Sequence, residues 1–176
     1  VPTYLVVSLL VLVGGLSSCS SAVSINPSLP SDSASTSDVS QESSSGEFTN
    51  LEDAVYQQIN QYRLSRNLPP LTLNDRISKQ ARLHSSAMAT GQVPFSHQGF
   101  DQRIRAIAAS IPYSSAAENV AYNQGHRDPA QQAVQGWLKS PGHRQNIEGE
   151  FDLTGIGISK NAQGEYYFTQ IFIKRR

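Results

Sequence analysis

Three short segments carry the side chains best suited to chemistry. Phe95-Ser96-His97 supplies an imidazole and Ala117-Glu118-Asn119-Val120 a carboxylate. The third, Gly136-Trp137-Leu138-Lys139-Ser140-Pro141-Gly142-His143-Arg144-Gln145-Asn146-Ile147, places a second imidazole just past what reads as a helix end and a Pro-Gly turn. Two imidazoles and one carboxylate form a zinc ligand set with an open coordination position. They also suit proton transfer near neutral pH, since a carboxylate beside an imidazole favours its charged form. Zn2+ is the one cofactor that His97, Glu118 and His143 would call for, and their spacing lacks the His-Glu-x-x-His signature of a helical zinc site. The competing reading is a buried polar network in which each group satisfies another.

The remaining candidates have plainer explanations. His84 sits four residues before Met88 on an apolar helical face, where a histidine is usually a hydrogen-bonded core residue; it is a secondary candidate for the cleft border. His126 lies in the loop sequence Gln124-Gly125-His126-Arg127 without an evident partner. Arg144 and Asn146 are suited to bonding carbonyls that follow the helix, or to forming a rim for an acidic ligand. A nucleophilic triad is poorly supported. Ser96 adjoins His97, which turns the two side chains apart, and Ser140 has no activating partner in view.

The elements that must position these groups follow from periodicity. Asn50 can cap a helix with Leu51, Val55, Ile59 and Tyr62 on one face, ended by Leu68-Pro69-Pro70. Asn74 or Asp75 opens a second helix with Ile77, Ala81, His84 and Met88 inward, closed by Gly91. Asp101 opens a third, with Ile104, Ile107 and Ala108 inward, stopped by Pro112. Asp128-Pro129 is an N-cap followed by proline at the first helical position, and Ala130, Ala133, Val134, Trp137 and Leu138 form the stripe below it. Leu153–Ser159 and Tyr166–Ile173 read as an antiparallel hairpin about Lys160-Asn161-Ala162-Gln163-Gly164, and Ala117–Tyr122 as a further strand. Apolar residues on both faces of the final strand call for helices on both sides of a small antiparallel sheet, an α+β, three-layer α-β-α sandwich.

Residues 1–47 have a different character. Val1–Leu16 is apolar and uncharged and runs into Leu16-Ser17-Ser18-Cys19, a pattern similar to a bacterial lipobox in which Cys19 becomes the lipidated first residue. No Lys or Arg precedes the apolar run, so an ordinary secretory signal with a chance cysteine, or an uncleaved anchor, remains the alternative. Residues 1–19 are thus expected to be a lipoprotein-type signal peptide, and 20–47 a Ser-rich disordered linker spanning roughly 25–30 Å on average. Residues 48–176 form the domain. Cys19 is the sole cysteine, which leaves none for a disulfide or a thiolate nucleophile. The formal charge is zero, but residues 47–176 hold all 14 basic and 11 of the 14 acidic residues. That net +3 is too weak to argue for nucleic acid.

The three segments together resemble the signature of the CAP superfamily (cysteine-rich secretory, antigen 5 and pathogenesis-related 1 proteins), in its bacterial SCP-like form. The resemblance covers roughly residues 50–173 and implies the same α-β-α sandwich. It also implies a central cleft lined by His97, Glu118 and His143. His97 matches the first family histidine and Glu118 the first family acid, within Glu118-Asn119-Val120. Two family positions are altered, with Ser140 where relatives carry a glutamate and Tyr167 where they carry a histidine before Thr169-Gln170. His143, in Ser140-Pro141-Gly142-His143-Arg144, is expected to reoccupy that space. The incomplete tetrad and the tether favour a non-enzymatic, membrane-tethered extracytoplasmic module. Its cleft would bind a small or hydrophobic cell-envelope molecule, lipid and sterol binding being implied by the resemblance. The alternatives are a zinc-assisted hydrolase of envelope peptide or glycan, and a structural spacer. The expected partner is the membrane, through Cys19, and the expected state a monomer.

Overall fold

The computed structural model describes residues 37–176, with side chains from residue 46 onward. Residues 1–36, which include the expected signal segment and Cys19, lie outside the described residues. Nine elements follow in order: α1 (Ser37–Ser65), β1 (Thr72–Leu73), α2 (Asp75–Ala89), α3 (Phe100–Ala108), β2 (Tyr113–Asn123), α4 (Pro129–Lys139), α5 (Pro141–Glu148), β3 (Leu153–Lys160) and β4 (Tyr166–Arg175). Among them no helix is long and apolar enough to cross a membrane.

The helix starts show local chemistry at work. Asn74 accepts hydrogen bonds from the backbone N–H groups of Arg76 and Ile77, which opens α2. Asp128 accepts from Gln131 N, with Pro129 at the first helical position of α4. Two expectations are corrected. The first helix begins at Ser37, not Asn50, because extending a nucleated helix needs only one more residue fixed per hydrogen bond. Residues 37–47, part of the expected linker, are helical backbone here. Pro141-Gly142 is no turn either. Ser140 is extended at φ −90° and ψ 120°, and Pro141 starts a new helix, α5. Proline's fixed φ suits a first helical turn as well as it suits a β-turn.

The sheet has the order β1-β3-β4-β2. β3 and β4 form the expected antiparallel hairpin, and β2 pairs antiparallel with β4 over its whole length. The purely antiparallel sheet of the sequence reading is corrected by β1, whose two residues pair parallel with Leu153 and Thr154. So short a strand carries no period from which to read it. Side-chain alternation then splits the core in two. Phe168, Phe172, Ile156 and Ile158 face α1 and α4, around a fully buried Trp137. Leu153, Ile171 and Ile173 face α2 and α3. α2 lies directly on β3 because Gly155 and Gly157 have no side chain: a Cβ at either would overlap backbone atoms at Ile77–Ser78 or Ala81–Arg82.

β2 is an edge strand, and the helices of one layer seal it. Trp137 Nε1 donates to Val120 O at 3.0 Å, and Asn146 Nδ2 donates to Glu118 O at 3.3 Å. Buried Arg63 of α1 holds the end of α5 by donating to the carbonyls of Ile147 and Gly149. This edge is where the candidate residues collect.

Candidate functional site

Glu118 points to the α2/α3 face of β2 and is buried. A buried carboxylate needs charge and donors to offset its lost hydration. Arg103 of α3 supplies both, with Nε 2.8 Å from Oε2 and Nη2 2.7 Å from Oε1. Arg103 Nη1 also donates to Gln98 O at 2.9 Å, which fixes the loop between α2 and α3. His97 sits in that loop, its Nδ1 3.0 Å from Glu118 Oε1. The carboxylate and guanidinium are enclosed, whereas the His97 side chain is 40% exposed. The unit thus presents one imidazole to solvent on a rigid, charge-balanced base.

His84 supports the same loop from below. Its Nε2 lies 2.8 Å from Ser96 O. Burial holds its pKa below the ordinary 6.5, with the positive charge of Arg103 adding to the effect. His143 stands at the other side of the β2 edge, in the first turns of α5. Its carbonyl accepts from Asn119 Nδ2 at 3.1 Å, and Asn146 Nδ2 donates to Asn119 Oδ1 at 2.9 Å. Partial burial lowers the His143 pKa, and the neighbouring His97 lowers it further. Ser140 is the cap residue between α4 and α5 and makes no side-chain cap hydrogen bond.

The zinc expectation for His97, His143 and Glu118 is corrected by this geometry. Among the described residues no three His, Cys, Asp or Glu side chains gather as a metal site. The physical reason is Arg103. Its guanidinium takes both carboxylate oxygens that a cation would need, and its own positive charge opposes one. A general-base role for Glu118 meets the same obstacle.

Tyr167 is not beside Glu118. It pairs across strands with Tyr122, four positions along β2 from Glu118, or about 13 Å. The two rings stack with centroids 5.9 Å apart, and Phe95 meets Tyr122 edge-on at 5.0 Å. Tyr167 Oη donates to Glu165 Oε2 at 2.9 Å. Burial, then that bond, pushes its pKa up to about 12, so it stays a neutral phenol. The site is therefore a strip with a polar end at His97 and an aromatic end at Tyr122, joined by the Phe95-Ser96-His97 loop. Sequence reasoning missed Arg103, Phe95 and Tyr122. Arg103 left a trace as a basic residue on a helix whose neighbours Ile104 and Ile107 are core, and Phe95 stands in the first of the three segments without a role of its own. A depression of about 640 Å³ lies elsewhere, bordered by Leu51, Ala54, His126 and Arg127. It shares no side chain with the strip, and the chemistry described above does not reach it.

Relatives agree with this architecture. The Bacillus subtilis protein YkwD is 33% identical over 128 residues, 69% of this chain and 46% of its own length. The Bacillus subtilis membrane protein YlbC is 30% identical over 131 residues, 72% of this chain and 35% of its own. The chain thus spans less than half the length of either. An extracellular SCP-domain protein of Bacillus anthracis superposes with a TM-score of 0.61 at 27% identity, over 73% of this chain and 41% of that one. An outer surface protein of Borrelia burgdorferi, 22% identical, shares the fold at a TM-score of 0.62 over 72% of this chain and 94% of its own. A sequence model of the cysteine-rich secretory protein family, CAP, matches residues 56–172. The chain belongs to the CAP family.

Proposed function

We propose that this CAP domain is a non-enzymatic, extracytoplasmic binding module, tethered to the membrane through lipidated Cys19, whose β2 strip takes a small or hydrophobic molecule of the cell envelope. The observation that carries the reading is the Arg103–Glu118–His97 unit. Its carboxylate is neutralised and immobilised, which removes it from catalysis and makes it a fixed mount for an exposed imidazole. Preorganised polar groups beside apolar surface are what a binding site requires. The extracellular relative in Bacillus anthracis and the outer surface protein in Borrelia support the location. The Leu16-Ser17-Ser18-Cys19 sequence supports the tether.

The test has two arms. Full-length protein purified from a bacterial host envelope is extracted, and retained molecules are quantified by mass spectrometry. A stoichiometric envelope molecule is expected, and an empty protein contradicts the binding role. Cys19→Ser should move the protein from the membrane fraction to the soluble one; unchanged membrane retention contradicts the lipid tether.

A further inference from the structure

Phe95 and Tyr122 are both about half exposed and touch each other, so they form a contiguous aromatic surface and not scattered exposed residues. Tyr167 extends it beneath. The rim is polar: Glu165 accepts from both Tyr167 Oη and Asn161 Nδ2, and Gln124 Nε2 donates to Gln163 O. His97 lies two residues from Phe95 at the other end. Among the described residues the cation–ring contact is Lys160 over Tyr166 at 4.5 Å. Register places both of those residues on the opposite sheet face, away from Tyr122 and Tyr167.

Three ligand chemistries can be weighed against this surface. A lipid chain gains little on an open platform, because its apolar area is removed from water only when walls surround it. An anionic headgroup needs cations, and the rings at this end have a carboxylate as neighbour. A pyranose has one face of C–H groups and a girdle of hydroxyls. The C–H face suits the electron-rich face of an aromatic ring, and the hydroxyls suit a rim of carboxylate, amide and imidazole.

We infer that the Phe95–Tyr122–Tyr167 platform is a glycan-binding subsite that stacks pyranose rings of an oligosaccharide lying along β2 toward His97. The inference rests on the reading of the β2 strip as a binding surface and names the ligand class. The strip, about 13 Å between Tyr122 and Glu118 along the strand, is longer than a single sugar ring. A chain of several sugars would be the occupant. Tyr167 positions the platform, since its phenol is held by Glu165 and its ring lies against Tyr122.

The full chain carrying Cys19→Ser is titrated calorimetrically with linear hexasaccharides of glucose, of N-acetylglucosamine and of mannose. At least one should bind saturably. Tyr122→Ala should weaken it about tenfold or more and Phe95→Ala several-fold, in keeping with the value of a lost stacking partner. Leu64→Ala, an exposed apolar residue on α1, should leave it unchanged. The inference is overturned if none of the three sugars binds, or if Tyr122→Ala binds as well as wild type. Tyr122-dependent binding to vesicles of phosphatidylglycerol and phosphatidylcholine, without sugar binding, also overturns it and assigns the platform to lipid. A protein that takes no sugar but still retains an envelope molecule refutes the glycan while leaving the binding module intact.

Discussion

Two buried glutamates in this domain solve the same problem with different outcomes. Glu52 of α1 accepts from Arg82 Nε and Nη2 at 2.9 and 2.5 Å, and from the backbone N–H of Ile158 at 3.3 Å. Glu118 accepts from Arg103 with equal geometry. The difference lies in which partner meets water. At Glu52 it is the guanidinium, with Arg82 49% exposed. At Glu118 the guanidinium is enclosed, Arg103 being 10% exposed, and an imidazole faces out. The Glu52 corner ends in a solvated cation and serves to stitch α1, α2 and β3. The Glu118 corner ends in a group that can donate or accept a hydrogen bond. A carboxylate–arginine pair is therefore no sign of function by itself; what it holds at the surface is.

The largest expected effect separates the two corners by stability. Glu118→Ala strands an enclosed guanidinium and should cost about 3–5 kcal/mol. Glu52→Ala leaves Arg82 free to turn to water and forfeits mainly the bond from Ile158, about 1–3 kcal/mol. Urea denaturation of both variants measures the gap, and equal losses would erase the distinction.

Acid sharpens it next. His143 and His84 are held below their ordinary pKa of 6.5 in the folded protein. As pH falls below 6.5 the unfolded chain takes up protons that the folded chain resists, so stability is full above pH 6.5 and is lost toward the lowered folded values. His143→Gln should flatten that loss between pH 7 and 5, whereas Arg82→Gln should leave its slope unchanged. Denaturation midpoints at the two pH values give the slopes.

The smallest stability effect is expected at His97. His97→Gln replaces a ring that is 40% exposed with an amide that can still donate to Glu118, and should cost within about 1 kcal/mol. A loss of several kcal/mol in thermal or urea melts would mark His97 as structural, like Arg82.

The legible and illegible parts divide along the same line. The faces of α2 and α4 and their caps at Asn74 and Asp128 could be read because helical period and capping act within a few residues. The β3–β4 hairpin could be read from alternation about a polar turn. Arg103 could not, because its partner is 15 residues away on another element and ion pairing leaves no period. Nor could the separation of Tyr167 from Glu118, which depends on the register of β2 against β4. Matching family positions paired His97 with Glu118, which do touch, without showing that the polar and aromatic ends of the strip lie apart.

The central claim is that the Glu118 corner recognises a ligand and the Glu52 corner does not. The decisive measurement compares envelope molecules retained by full-length wild type, His97→Gln and Arg82→Gln, purified identically and quantified per mole of folded protein. His97→Gln should retain roughly tenfold less, the loss of one well-placed polar contact being worth about 1.4 kcal/mol, while Arg82→Gln retains as much as wild type. Equal retention by His97→Gln and wild type, or a matching loss in Arg82→Gln, would contradict the account.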